Sequence, residues 1–599
     1  MQLSDLKEKT IAVLPFVNMS GSVEMEYFSD GITEEIINAL ANITHLKVTS
    51  RTSSFHFKNK EIPINKIAQE LNVATILEGS VRYAANTVRI TAQLIHAEED
   101  FHFWSETWDR KLDNIFEIQD EISIKIADKL REQYGHLEFE NHLVKPKTES
   151  LDAYEYSLKA RYHFNKWNPI DAQKAIELYE KAIDLDPKHT DSLVGLADAY
   201  SFFAVTELMP RKEAWEKSRK YTDAAYSLSP DNAGVHYLLA NVAFFYDADF
   251  QKAFEHGLRS VALKPNYPEA QQFLSLLYLI LGENVKAKQH LELAHSIDPL
   301  SQETLFYRAY YHYRTENYLE ALKLFDECLE KNPHNIPAYV VKSYCLIKLN
   351  RNDEVIRFLN EMPKEIVVHK ERLGALCLAH INQNNKAEAE KYFDELYREA
   401  QNPESFQAHS YLYLVYASTS KASEAFSLID KALEFKSSVL LLSFTDPLAN
   451  ELKKDIRYQD YKKKLYRHSV SPENQSPEKP PLLDIETADS YEDILLTFIG
   501  EEQPFLIPNL SLRSLAEQIE IHPNKLSWLL NERIGKNFNE FINHYRIEYF
   551  KKLVVDPENR NISLLGLAYE SGFNSKTVFN TYFKKETGLT PKEFLKQQI

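Results

Sequence analysis

A chain of 599 residues is too long for one hydrophobic core and implies about three or four domains, and its 44% hydrophobic and 26% charged residues with only 14 glycines are those of a soluble, helix-rich globular protein. The net charge of −18 excludes a surface that holds nucleic acid through evenly spread positive charge. From Phe505 onward, however, 13 Lys and Arg face 10 Asp and Glu, a balance of +3 that leaves −21 on the remainder and locates any DNA contact in the tail.

The opening MQLSDLKEKT is charged and runs directly into strand-like residues, so no targeting segment is expected there. The longest apolar run, Phe273 to Leu281, falls short of the ~18 residues that cross a bilayer. Ile11, Val13 and the following Leu-Pro-Phe read as a buried strand, and Ile32 to Leu40 has helical apolar spacing. Val88, Ile90, Ala92 and Leu94 alternate with Arg89, Thr91 and Gln93, the pattern of a strand with one wet face. Ile115 to Leu130 returns to helical spacing, so residues 1–140 are expected to form an α/β or α+β domain. His96, Glu98, Glu99, Asp100 and His102 lie where a strand turns back and read as a solvated hairpin, because a metal site needs an enclosed geometry. Met19-Ser20-Gly21-Ser22 has too few glycines for a phosphate loop.

The centre repeats. Pro187, Pro230, Pro265, Pro299 and Pro333 each follow a short helical end, at spacings of 43, 35, 34 and 34. Ala175, Ala253, Ala287 and Ala321 stand twelve residues before four of these prolines, and Ala182, Ala225 and Ala294 five before three of them. Small residues at those offsets let paired helices approach, and each proline stops one helix before the next begins. The period resembles that of tetratricopeptide repeats, strongly from about 170 to 335, weakly from 351 to 403, and again at Ala425 and Ala432. Residues 150–465 are therefore expected to form an α-solenoid with a concave binding face. Cys328, Cys345 and Cys377 form no C-x-x-C pair and suit a reducing cytoplasm as small buried residues.

Residues 466–489 hold Pro472, Pro477, Pro480 and Pro481 among Ser, Glu, Asn and Gln and read as an extended linker. Residues 490–599 hold two helix-turn-helix patterns. In the first, Leu512 to Glu520 turns Leu515, Ala516 and Ile519 inward. A break at Ile521-His522-Pro523 precedes a helix to about Ile534, with Leu526, Leu529 and Leu530 inward and Asn524, Lys525, Ser527, Trp528 and Asn531 outward. In the second, Leu564 to Ser571 leads through Gly572-Phe573-Asn574 into Ser575 to Lys585, which buries Phe579 and Phe583 and exposes Ser575, Lys576, Thr577, Asn580 and Thr581. A helix entering a major groove needs this apolar back and a front of short polar groups, since Asn pairs with adenine, Lys with guanine and Ser or Thr with either. Phe538 to Val555 reads as the stiff connector, which would hold the two reading helices ~34 Å apart on one DNA face. Lys525, Arg533, Lys536, Lys584 and Lys585 are the expected phosphate contacts.

The tail, from LSLRSLAEQIEIHPNKLSWLL through ISLLGLAYESGFNSKTVFNTYFKKETGLTPKEFL, resembles the AraC/XylS transcription regulators over about Tyr491 to Ile599. Gly572-Phe573, Phe579, Phe583-Lys584-Lys585, Gly588 and Thr590-Pro591 fall in that family's order, and the resemblance makes the ten outward residues the base-reading positions. The sequence departs from the family at Glu520, where glycine is frequent, and at His522, where Ser is usual. These predict a looser first turn and a weaker helix start. Thr581 and Leu595 stand where the family favours Arg. The second unit keeps its turn glycine and an expected Asn574 cap. IAVLPFVNMSGSVEMEYFSDGITEEIINAL with LEGSVRYAANTVRITAQLIHAEEDFHFWSETWDR resembles TolB-amino-terminal-like domains, which implies a fold and a regulatory setting.

The sequence thus describes a predominantly α multidomain protein: an N-terminal α/β (or α+β) domain, a central α-solenoid and an all-α double helix-turn-helix tail. Its expected role is a bacterial, cytoplasmic, sequence-specific transcription regulator on double-stranded DNA. A protein or peptide partner on the solenoid, a small-molecule effector and homodimerisation are the further expectations, with no membrane. No catalytic residue, metal or cofactor is expected. The competing reading is a non-enzymatic interaction scaffold with a vestigial tail.

Overall fold

The computed structural model describes residues 9–598 apart from 21–23, 44, 85–86, 99–100, 112–114, 145–147, 149, 435–438 and 468–481. The chain divides by packing into two units: Met1–Val48, Asn59–Lys145 and Pro472–Ile599 form one, and Thr49–Lys58 with Pro146–Ser471 the other.

In the first unit a mixed sheet has the order β3-β1-β4-β5-β6, from β1 (Thr10–Val13), β2 (Val17–Asn18), β3 (Lys47–Val48), β4 (Thr75–Ala84), β5 (Thr87–His96) and β6 (Phe101–Lys111). β1 runs parallel to β3 and β4, while β4, β5 and β6 form an antiparallel meander. Every residue of β1 is buried, as its uninterrupted apolar run requires for an inner strand. In β5, Val88, Ile90, Ala92 and Leu94 are fully buried, while Arg89 on the other face pairs with Asp109 at 2.7 Å. Helices Glu24–Ala41 and Ile115–Tyr134 pack against each other beside the sheet. Glu99 and Asp100 of the expected hairpin, and Gly21-Ser22, lie outside the described residues.

The second unit stacks helices in pairs: Leu151–Phe164 with Pro169–Leu185, Thr190–Thr206 with Arg211–Leu228, Ala233–Phe245 with Phe250–Leu263, Pro268–Leu281 with Asn284–Ile297, and Gln302–Arg314 with Tyr318–Lys331, after which comes Ile336–Lys348. Each of the five marker prolines stands two residues past a helix end, where its missing N–H removes the donor that would continue the helix. The marker alanines are fully buried between helices. The stack continues through Asn352–Asn360, His369–Asn382, Lys386–Glu399, Phe406–Ser418 and Ala422–Glu434, across the stretch where the sequence pattern fades. The fading has a local cause: Asn352–Asn360 is only 9 residues long and ends at Met362-Pro363, which displaces the Ala and Pro marks. Successive turns touch, as where Lys370 pairs with Glu207 at 2.8 Å and where Asn332 donates to the carbonyls of Lys166 and Trp167 at 3.2 and 3.3 Å. The three cysteines are buried.

Two boundaries differ from expectation. Residues 49–58, expected within the amino-terminal domain, pack with the solenoid instead. The stretch expected to be extended as far as residue 489 turns helical at Ile485–Glu502. Asp484 caps that helix by accepting from the Thr487 amide at 2.9 Å, and Leu483 and Ala488 sink into the tail's core, which fixes the start despite the prolines before it.

Candidate nucleic-acid interface

The first helix-turn-helix consists of Leu512–Gln518 and Pro523–Trp528, the latter running on as a π-helical turn, Leu529–Ile534, that ends at Gly535. Leu512, Leu515, Ala516, Leu526, Leu529 and Leu530 close its core with Phe538 and Phe541 of the connector Phe538–Val555. Glu520 adopts a left-handed φ of 55°, the conformation for which glycine is frequent, yet the turn is closed by the Ile521 amide on the Ala516 carbonyl at 2.9 Å. The turn is therefore formed rather than loose. His522 likewise caps its helix: its Nδ1 accepts from the Asn524 amide at 3.2 Å. Burial, then the charges of Arg131, Arg513 and Lys525, hold its imidazole below the usual histidine value and so favour the neutral ring that can accept.

The second unit is Leu564–Glu570 and Lys576–Thr587, with Phe573, Phe579 and Phe583 buried on Ile547 and Phe550 of the connector. Its cap is Ser575, which accepts from the Val578 amide at 3.4 Å, not Asn574. Asn574 lies one residue too early and donates instead to the Pro508 carbonyl at 3.3 Å and to Asn509 at 3.2 Å. Gly572 has φ 90°, and a Cβ there would meet the Phe505 carbonyl and lie 2.9 Å from Leu506 Cα, so this turn requires glycine. Buried Arg546 of the connector completes the joint: Nε donates to the Phe505 carbonyl at 2.7 Å and Nη2 to the Ile507 carbonyl at 2.8 Å.

The two faces expected to read bases differ in exposure. Lys576, Thr577, Asn580 and Thr581 are exposed and Ser575 is half-buried. In the first unit, Asn524, Lys525, Trp528 and Asn531 are half-buried, and Ser527, expected outward, is 0% exposed. Helical geometry puts Asn524, Ser527 and Asn531 on one stripe at i, i+3 and i+7, and Asn524 and Asn531 of that stripe meet Arg131 of helix Ile115–Tyr134 and the residues after it. Arg131, 1% exposed, donates to Asn524 Oδ1 at 2.7 Å and to Asp128 at 2.5 Å, while Asn524 Nδ2 donates to the Phe139 carbonyl at 3.2 Å. A Cβ on Gly135 would collide with Asn531 Oδ1. Glu132 accepts from the Leu512 amide at 2.9 Å, Asp128 from Arg513 at 3.0 Å, and Gln133 from Asn539 at 3.0 Å. Desolvation lowers the Arg131 affinity for its proton, and Asp128 opposes it.

The phosphate candidates also have protein partners. Arg533 pairs with Asp489 and, at 3.5 Å, with Glu492; Lys585 pairs with Glu540 at 2.7 Å; Lys525 lies 5.8 Å from the Tyr491 ring centre. Lys584 is exposed and Lys536 half-buried. Sequence reasoning missed Asp128, Arg131, Glu132, Arg513 and Arg546. The first three lie 380 or more residues before the atoms they hold, beyond the reach of any local pattern.

A helix-turn-helix domain model matches residues 515–597, a HilA/YgeH-like transcriptional regulator second-domain model residues 7–125, a tetratricopeptide repeat model residues 171–189, and a model of anaphase-promoting complex, cyclosome, subunit 3, residues 281–362. A Rhizobium meliloti (strain 1021) protein named as an adenylate cyclase is 37% identical over 206 residues, 34% of this chain and 34% of its own. The Bacillus subtilis (strain 168) transcriptional regulatory protein YesN is 34% identical over 15% of this chain and 25% of its own, and the Escherichia coli (strain K12) HTH-type regulator YijO 32% identical over 15% and 30%. The chain thus spans between a quarter and about a third of the length of these relatives. A Parabacteroides merdae tetratricopeptide repeat protein aligns at TM-score 0.28 and 16% identity, over 41% of this chain and 92% of its own. The chain carries an AraC-type helix-turn-helix domain at its carboxyl end and tetratricopeptide-type repeats at its centre, a domain set that supports a DNA-binding regulator.

Proposed function

We propose that the chain is a sequence-specific transcription regulator that engages double-stranded DNA first through Ser575, Lys576, Thr577, Asn580 and Thr581. The observation that carries this reading is an open row of short polar groups on Lys576–Thr587 backed by buried Phe579 and Phe583. Lys584 and Lys585 beside that row supply phosphate contacts that set register. Asn524, Lys525, Trp528 and Asn531 read a second groove segment once helix Ile115–Tyr134 leaves them. Asp128 and Glu132 then give up positions that phosphate oxygens take, since a helix N-terminus and an arginine are both anion ligands. Lys536 and Arg533 join the backbone contacts in that state.

The solenoid takes a protein or peptide partner, and the amino-terminal domain senses a ligand. The sensing role rests on the resemblance to TolB-amino-terminal-like domains. Its site of action is the cytoplasm, beside the chromosome, as a homodimer. Among the described residues no helix is long and apolar enough to cross a membrane. The name of the Rhizobium meliloti relative describes that protein, and no reaction is assigned to this chain.

Gel retardation of the full chain on genomic fragments is the test. Selective retardation that weakens steeply with salt is expected, because phosphate contacts release counterions. Failure to retard any fragment at low salt would hand the molecule to the scaffold reading.

A further inference from the structure

Residues 49–58 are seated in the solenoid as a peptide is seated in a binding cleft. Their helix, Arg51–Phe55, is capped by Ser50. The Ser50 amide donates to the Ile297 carbonyl at 2.8 Å, Ser53 Oγ donates to Asp298 at 2.6 Å and accepts from the Leu300 amide at 2.9 Å, and Asn165 donates to Thr52 Oγ1 at 2.9 Å. Ser53 and Ser54 are fully buried. The receiving surface is assembled from distant parts of the stack. Asn165 follows helix Leu151–Phe164, and Asp298 to Leu300 form the turn after Asn284–Ile297; Trp167 against Phe306, 5.5 Å between ring centres, holds the two side by side.

The hydroxyl-binding surface also gathers carboxyl groups. Burial and the nearby Glu269 raise the Asp298 carboxyl to about 7, against the Ser50 and Ser53 hydroxyls. Glu303 is raised by burial and by Glu269, Asp198 and Asp298, so four carboxyls share one poorly solvated region. The resident segment carries Arg51 and Lys58 on either side of Thr52, Ser53 and Ser54, and both cations lie over its own Phe55 ring, at 4.0 and 5.8 Å from the centroid. Its fit is incomplete: Thr49 Oγ1 and Ser54 Oγ are buried without a hydrogen-bond partner among the described residues. An occupant with unmet groups is displaced by one that meets them.

We infer that this seam is a protein-docking site, that residues 49–58 are its resident occupant, and that the partner presents a short basic segment rich in serine and threonine that takes their place. This deepens the partner-binding role proposed for the solenoid and is independent of how the tail reads DNA.

The probe is a fluorescent peptide with the sequence of residues 47–60, KVTSRTSSFHFKNK, titrated by anisotropy into the full chain. Ser53→Glu sets a carboxylate against Asp298 and expels the resident segment, so this variant is expected to bind the probe at least tenfold more tightly than the unaltered chain. Ser53→Lys, equally bulky but able to pair with Asp298, keeps the segment seated and stays near the unaltered value. Adding Asp298→Ala to Ser53→Glu abolishes the gain. Hydrogen exchange over residues 49–58 should rise in Ser53→Glu alone, and a preserved thermal transition shows that the stack is intact. Equal binding by all variants, or equal binding of a scrambled probe, overturns the inference. DNA retardation measured on the same samples separates the two readings: retardation intact with no probe binding removes the docking site alone.

Discussion

The two reading helices share an architecture and differ in what lies against their polar faces. In Lys576–Thr587 the polar row meets solvent; in Pro523–Trp528 and its extension the equivalent stripe meets Arg131, Gly135 and Phe139. Hydrophobic patterning fixes the back of each helix and says nothing of what covers the front. The difference is also one of foundation. The first unit is buried into the broad core that includes helix Ile485–Glu502, whereas the second stands on a small cluster of seven buried side chains, Phe550 among them, within the described residues.

That contrast yields its largest effect through Phe583→Ala. Phe583 is fully buried, with rings of Phe550, Phe579 and Phe594 between 5.4 and 5.6 Å away. Truncation in so small a core should cost ~3–5 kcal/mol. Hydrogen exchange is expected to lose protection over 564–587 while 512–530 keeps it, and DNA retardation should vanish. Uniform loss of protection would mean the two units fold as one.

Opening the first unit comes next. Asp128→Asn with Glu132→Gln in the full chain removes two charged acceptors, and hydrogen bonds to charged groups contribute ~1.5–3 kcal/mol each. The expected result is DNA affinity raised at least ~10-fold, which corresponds to ~1.4 kcal/mol, with a footprint extended toward a second groove segment. An unchanged footprint would show that helix Ile115–Tyr134 does not gate the first unit.

Much of this is legible in the sequence, and the illegible part has a consistent cause. The alternation in β5, the proline stops of the repeats and the spacing of Phe579 and Phe583 are local patterns, and each is present where the residues put it. Local pattern misplaces Ser527, which is buried on the same stripe as Asn524, itself held by Arg131 nearly 400 residues earlier, and Asn574, because its amide finds Pro508 and Asn509 across the joint. It undervalues His522 as a cap because the ring's ability to accept depends on its burial and then on the neighbouring charges of Arg131, Arg513 and Lys525. Helix Ile485–Glu502 is hidden by the prolines that precede it.

A third test separates base reading from cover. Asn580→Ala should cost ~1–3 kcal/mol on one matched sequence and little on others if the side chain reads a base. Asn524→Ala in the otherwise native chain should leave retardation nearly unchanged, since Arg131 and the Phe139 carbonyl already hold that amide. Combined with Asp128→Asn and Glu132→Gln, the same Asn524→Ala should become as costly as Asn580→Ala. If Asn524→Ala weakens DNA binding equally with and without those changes, the first face is already open in solution.

The smallest effect concerns the start of the first reading helix and is a matter of protons. His522 caps only while neutral, and its folded-state value lies below the ordinary 6.5. The unfolded chain therefore takes up a proton before the folded one does, so the cap's contribution is complete above about pH 6.5 and declines as pH falls toward the folded-state value. His522→Ser replaces a titrating acceptor with a permanent one. Its stability should be close to that of the native chain at pH 8, with a gain below ~1 kcal/mol appearing on acidification, since ordinary caps contribute ~0.5–2 kcal/mol. Thermal unfolding between pH 5 and pH 8 is the measurement. Parallel pH profiles for the two chains would show that the imidazole hydrogen bond carries no weight. A selective gain for the His522→Ser chain at low pH would also mark the clasped unit as the acid-sensitive half of the tail, because the second reading helix already starts from a serine.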